Sequence, residues 1–113
     1  MRDLVNLVGP SAAKIILFTA ERLPAKRALS LGLVDEVVPG EALNARMSQI
    51  AGDISRNAPL TIKAAKASID YIARGGSTEQ EVADLIGACL RSRDFDEGRS
   101  AFLEKRDPEF RGE

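Results

Sequence analysis

Proline and glycine cut this sequence into helix-length pieces. Pro10, Pro24, Pro39, Pro59 and Pro108, with the pairs Pro39-Gly40 and Gly75-Gly76, bound every interval. Proline lacks an N–H and restricts the residue before it, so a helix starts at a proline or stops ahead of one. Gly9-Pro10-Ser11 opens a first helix with Ser11 as its cap, and Ala12, Ile15, Ile16 and Thr19 form one face. It stops before Leu23-Pro24. Pro24 opens a short second helix through Leu31, and Gly32 supplies a left-handed exit. The third helix is predicted over 41–56, with Leu43, Met47, Ile50 and Ile54 as its stripe. The fourth runs from Pro59 to Gly75-Gly76, with Ile62, Ala65, Ile69 and Ile72 as its stripe. Ser77 or Thr78 caps the fifth, and Glu81 stands where a capping box needs it. The sixth covers 94–105, and Pro108 prevents much extension.

The fold class that follows is all-α, about six helices with short loops. It reads as a single helical region, a first part over about 1–39 and a helical tail over about 41–113. Residues 33–38 could be a strand, but a strand without a partner is an extended link. The stripes are rich in alanine and the chain has one tyrosine, four phenylalanines and no tryptophan, so the core is thin. Self-association as a dimer or trimer is expected to cover the rest.

Composition removes several functions. Sixteen basic residues against seventeen acidic give a net charge of -1, which is unsuited to sequence-independent nucleic-acid binding. No apolar run approaches about twenty residues, so no membrane span is expected. The N-terminus carries no secretory pattern, and a cytoplasmic location is expected. Cys89 is alone, which excludes an internal disulfide and points to a small buried hydrophobe. The absence of histidine removes the commonest metal ligand and acid–base group, so no metal site is expected.

No catalytic residue is predicted. The serines have no histidine to activate them. Asp35-Glu36 and Asp96-Glu97 are sequence neighbours, which do not face each other on a helix. Asp96 and Glu97 suit the positive end of a helix dipole instead. The basic residues near the C-terminus carry more. Phe102 and Lys105 are three apart and would share a helix face, with Arg99 one turn before Lys105-Arg106. A ring beside a cation makes a clamp for a flat base carrying phosphates. The other reading is a solvated helix end with Phe102 in the core.

The motifs, taken in order, resemble the C-terminal region of the enoyl-CoA hydratase/isomerase (crotonase) family. They begin with Val8-Gly9-Pro10-Ser11-Ala12-Ala13-Lys14 and Thr19-Ala20-Glu21-Arg22-Leu23. The alanine segment from Ala25 to Ala28 leads to Leu31-Gly32-Leu33-Val34-Asp35-Glu36-Val37-Val38-Pro39. Ala58-Pro59 to Ala65-Lys66 follows. The last is Glu97-Gly98, Ala101-Phe102 and Glu104-Lys105-Arg106. The resemblance implies a region that packs on a spiral core of ββα units and builds trimers, often stacked as hexamers. The family's oxyanion hole, which stabilises an enolate-like intermediate, and its paired glutamates belong to that core, upstream of Val8. The implied parent reaction is hydration of a 2-enoyl-CoA, with coenzyme A as part of the substrate and no further cofactor required. The present chain is expected to be inactive by itself. Decarboxylases, dehalogenases, hydrolases and ring-forming synthases of the family share this tail. By the same resemblance, Phe102 and Lys105 approach the nucleotide end of CoA, commonly from a neighbouring subunit, and the 18–23 region lies near the acyl end. The other function compatible with the sequence is a noncatalytic helical module for oligomerisation or interaction.

Overall fold

The computed structural model describes every residue except Ser77, together with all side chains but that of Arg74. The described residues form six α-helices and one 3₁₀ turn, with no strand: α1 (Arg2–Thr19), α2 (Ala25–Ser30), the 3₁₀ turn (Gly40–Ala42), α3 (Leu43–Ser55), α4 (Pro59–Arg74), α5 (Glu79–Leu90) and α6 (Arg93–Glu104). Residues 33–38 are an irregular link. The chain divides into two compact units, Met1–Asn44 and Ala45–Glu113.

In the first unit, α1 is two helices joined at a kink. Gly9 has φ 77° and ψ 162°, a conformation open to glycine and few other residues. Pro10 then restarts the helix, so Ser11 lies inside its first turn and not at the cap. Residues 2–8, unassigned by the sequence reading, form the leading segment. The helix stops at Ala20, which is left-handed, and the Thr19 hydroxyl donates back to the Ile15 carbonyl at 2.9 Å. Pro24 caps α2 from extended backbone. Beyond Leu31, Gly32 turns left-handed and the Leu33 N–H donates to the Ala28 carbonyl at 2.9 Å, so the exit forms as predicted.

In the second unit, Pro59 is the first residue of α4, and Gly75 ends that helix by donating its N–H to the Tyr71 carbonyl. Thr78 forms the predicted capping box on α5: its hydroxyl accepts from the Glu81 N–H, and the Glu81 carboxylate accepts from the Thr78 N–H at 2.7 Å. The other candidate cap, Ser77, lies outside the described residues. Helices α4 and α5 pack together, and α5 also meets α6. The inward face of α4 carries small residues, with Ala64 buried and Ala67 and Ser68 half-buried. Thr61 Oγ1 and Cys89 Sγ meet across this pair at 3.1 Å. Cys89 is therefore half-buried beside a hydroxyl and not enclosed in an apolar core.

The buried hydrophobic residues among those described are three alanines, Ala13, Ala64 and Ala101. The isoleucine stripe of α4 and the Leu43, Met47, Ile50, Ile54 stripe of α3 are exposed instead. Two separate compact bodies of these sizes would expose about 7,300 Å² in total, whereas the chain exposes 9090 Å².

The kink generates a stability prediction. A Cβ at Gly9 would meet no atom within 4 Å, so backbone conformation alone opposes a side chain there. Gly9→Ala should destabilise the chain by about 1–3 kcal/mol. Urea unfolding followed by circular dichroism checks this, and an unchanged midpoint would refute it.

Candidate functional site

The site begins at the N-terminus of α6. Ser92 caps it, accepting from the Phe95 N–H at 3.1 Å and donating to the Cys89 carbonyl at 2.7 Å. Two residues on, Asp94 is 3% exposed. A carboxylate so buried needs partners, because losing hydration is costly. Its Oδ1 accepts from the Arg111 N–H at 2.7 Å and its Oδ2 from the Gly112 N–H at 2.8 Å. The Asp94 N–H in turn donates to the Glu113 carbonyl at 3.2 Å. Gly112 adopts φ 80° at this contact, which favours glycine.

One turn along α6, Glu97 makes a fork with Arg106. The two guanidinium nitrogens lie 2.5 and 2.9 Å from Oε1 and Oε2, and the Glu109 N–H donates to Oε1 at 2.9 Å. Arg106 Nε also donates to Glu104 at 2.7 Å. The hydrogen bonds from Arg106, then from the Glu109 backbone, hold the Glu97 carboxyl down to about 2, against an ordinary 4.5. The carboxylates of Glu97 and Glu104 push the guanidinium of Arg106 further up. The sequence reading gave Glu97 to the helix dipole. The structure gives it to the C-terminal segment.

The same segment shapes the surroundings of Phe102. Phe102 is 83% exposed, so it is not a core residue of the described chain. It lines an open groove of about 410 Å³ with Ala58, Thr61, Phe95, Arg99 and Phe110. Lys105 is exposed and is not among the residues lining that groove. Helix α6 ends at Glu104, and Lys105 is its left-handed cap at φ 56°. The shared helix face predicted for Phe102 and Lys105 therefore breaks one residue early. Phe18, next to the Thr19 end of α1, is exposed in the first unit.

The residues missed by sequence reasoning are Asp94, in any role beyond starting a helix, and Phe110. Asp94 meets its partners 17 and 18 positions away, and Glu97 meets Arg106 and Glu109 at 9 and 12. No periodicity or short motif reports contacts of that span. No group of three or more His, Cys, Asp or Glu residues is placed to hold a metal ion among the described residues. No described helix is long and apolar enough to cross a membrane.

The Glu97 fork makes stability depend on acid. Its carboxyl is held at about 2 when folded and 4.5 when free. Stabilisation from this group is thus complete above pH 4.5 and is lost as pH falls toward 2. The Glu109 amide resonance should titrate with a midpoint near 2, and a midpoint near 4.5 would show that the fork does not form.

Known proteins are similar to this chain along nearly its whole length. The family model for enoyl-CoA hydratase/isomerase matches residues 2–113. Crotonyl-CoA hydratase of Syntrophomonas wolfei is 39% identical over 112 residues, covering 95% of this chain and 42% of that protein. Methylmalonyl-CoA decarboxylase of Escherichia coli is 34% identical over 116 residues, covering 99% of this chain and 44% of that protein. The crystal structure of an enoyl-CoA hydratase/isomerase family protein from Hyphomonas neptunium superimposes with a TM-score of 0.82 at 37% identity, covering 99% of this chain and 43% of that one. The chain thus spans less than half the length of the relatives it matches. With the family's C-terminal phrase folded as α6 and its cap, the chain belongs to the enoyl-CoA hydratase/isomerase family.

Proposed function

We propose that this chain is the helical C-terminal part of an enzyme acting on acyl-CoA thioesters, with hydration of a 2-enoyl-CoA as the parent reaction. One observation carries its structural role. The helices leave their larger apolar side chains bare: Met47 and Ile54 on α3, and Ile69 and Ile72 on α4, are each more than half exposed. Such rows are stable when a partner surface covers them. The oxyanion donors and acid–base carboxylates of the reaction belong to the ββα core of the family, and the described residues hold no strand. By itself the chain supplies a cover and an assembly surface, and no thioester chemistry.

A second reading, a noncatalytic helical association module, rests on the same bare rows. Both readings predict that the isolated chain associates, as a dimer or trimer. Sedimentation equilibrium over a wide concentration range checks this, and a single species near 12.2 kDa throughout would refute it.

Coenzyme A separates the two readings. In the enzymatic one, Phe102 and Lys105 meet the nucleotide end of CoA, with the ring against the base and the ammonium against phosphate. The exposure of both side chains beside the end of α6 supports this. A lone exposed ammonium is screened by water and salt, so the contact gains strength only in a closed site. With this chain joined to a hydratase core, Lys105→Ala should weaken CoA binding by about 1.5–3 kcal/mol. In the isolated chain the same change should have almost no effect. Calorimetry on both backgrounds decides, and an unchanged affinity in the joined protein would leave the association module as the better reading.

A further inference from the structure

Residues 107–113 have no helical or strand backbone pairing. Two carboxylates nevertheless hold them, and the Glu113 carbonyl also accepts from the Asp94 N–H. Glu97 takes the Arg106 guanidinium and the Glu109 N–H at the near end. Asp94 takes the Arg111 and Gly112 N–H groups at the far end. Phe110 lies between the two anchors. Its ring crosses Gly98, where a Cβ would sit 3.5 Å from Cε1 of the ring. Beyond it, Gly112 lies against Pro59, the first residue of α4, at a similar distance. Asp107 to Phe110 also face the turn between α3 and α4, lining a second open pocket with Ser55, Arg56 and Asn57.

We infer that Asp94 and Glu97 are positioning residues: they latch residues 107–113 onto α6 as a strap, and the strap presents Phe110 over Gly98 as a wall of the groove that Phe102 also lines. Three of the five anchoring contacts are backbone N–H groups bonded to charged oxygens, which are stronger than neutral pairs. The two anchors flank Phe110 at positions 109 and 111, so the chain between them has little freedom to turn the ring outward. With either anchor released, the backbone bond from the Asp94 N–H to the Glu113 carbonyl holds the chain end but not residues 109–111, and the groove loses one side. What the groove receives rests on the reading that Phe102 meets the nucleotide end of CoA. The latch itself does not.

The test uses nuclear magnetic resonance on the 113-residue chain. No nucleotide enters it, so its failure is separate from failure of the CoA reading. In the unsubstituted chain the Arg111 and Gly112 amides should be protected from hydrogen exchange, and the Gly98 Hα resonances should be displaced by the Phe110 ring. Asp94→Asn replaces one accepting oxygen with an NH₂ group. It should speed exchange at Arg111 and Gly112 about tenfold or more and return Gly98 to an ordinary shift, with the helicity of α6 retained. Phe110→Ala should abolish the Gly98 displacement while leaving those amides protected, which separates the wall from the latch. If Asp94→Asn also loses helicity, Glu97→Gln decides through the Glu109 amide and the same Gly98 signal. Two results overturn the inference. One is Arg111 and Gly112 amides exchanging at the rate of an unstructured peptide in the unsubstituted chain. The other is a Gly98 displacement that survives release of an anchor while α6 remains helical.

Discussion

Isolated helices shorter than about 12–15 residues are marginal in water, and helices in proteins depend mostly on burial of an apolar face. That constraint governs this chain. Its buried hydrophobic side chains are alanines, and an alanine removes little apolar surface from water. Local devices hold the helices meanwhile: the Thr78–Glu81 capping box, Ser92 on α6, Pro59 at the start of α4 and the left-handed stops at Ala20 and Gly75. Such devices are worth about 1 kcal/mol each and set where helices begin and end. They do not replace an interior. The isoleucines of α4, Ile62, Ile69 and Ile72, are exposed among the described residues.

Charge does for the C-terminus what apolar burial does not. A buried carboxylate without partners would oppose folding, yet Asp94 receives two backbone N–H groups and sits in the first turn of α6, where the helix dipole favours negative charge. Glu97 is 25% exposed and gains its strength from a two-point fork, the geometry for which a guanidinium is shaped. By contrast, the Arg93–Glu113 pair is 3.7 Å apart and largely exposed, where water leaves little net gain. Acidic residues a few positions apart on one helix thus have different work, decided by burial and by how many donors each receives.

The relatives give that geometry its context. One hydratase and one decarboxylase share this region at 39% and 34% identity, so the region itself does not select a reaction. What it has in common across such proteins is a CoA thioester in the names they carry. In this chain the region presents exposed apolar helical faces, with Phe102 and Lys105 exposed beside the end of α6.

The sequence by itself determined the all-α class, the number of helices and most of their ends. Those are local properties: proline, glycine, capping side chains and 3.6-residue periodicity act within a turn or two. It also placed the family on short motifs taken in order. The stripes of α3 and α4 were legible as apolar rows, but not whether anything covers them, because a row of isoleucines has the same pattern buried or bare. The continuation of α1 back to Arg2 was missed, since Gly9-Pro10 has the signature of a helix start as well as of a kink. The left-handed cap at Lys105 was missed because α6 could have run one residue further without violating any local rule. Only the tertiary structure decided that Asp94 and Glu97 serve the last seven residues and that Phe110 lines the same groove as Phe102. The carboxylate contacts among these join backbone N–H groups to carboxylates twelve to eighteen positions away. A backbone N–H is present at nearly every residue, so nothing in the amino-acid letters marks which one a distant carboxylate will take.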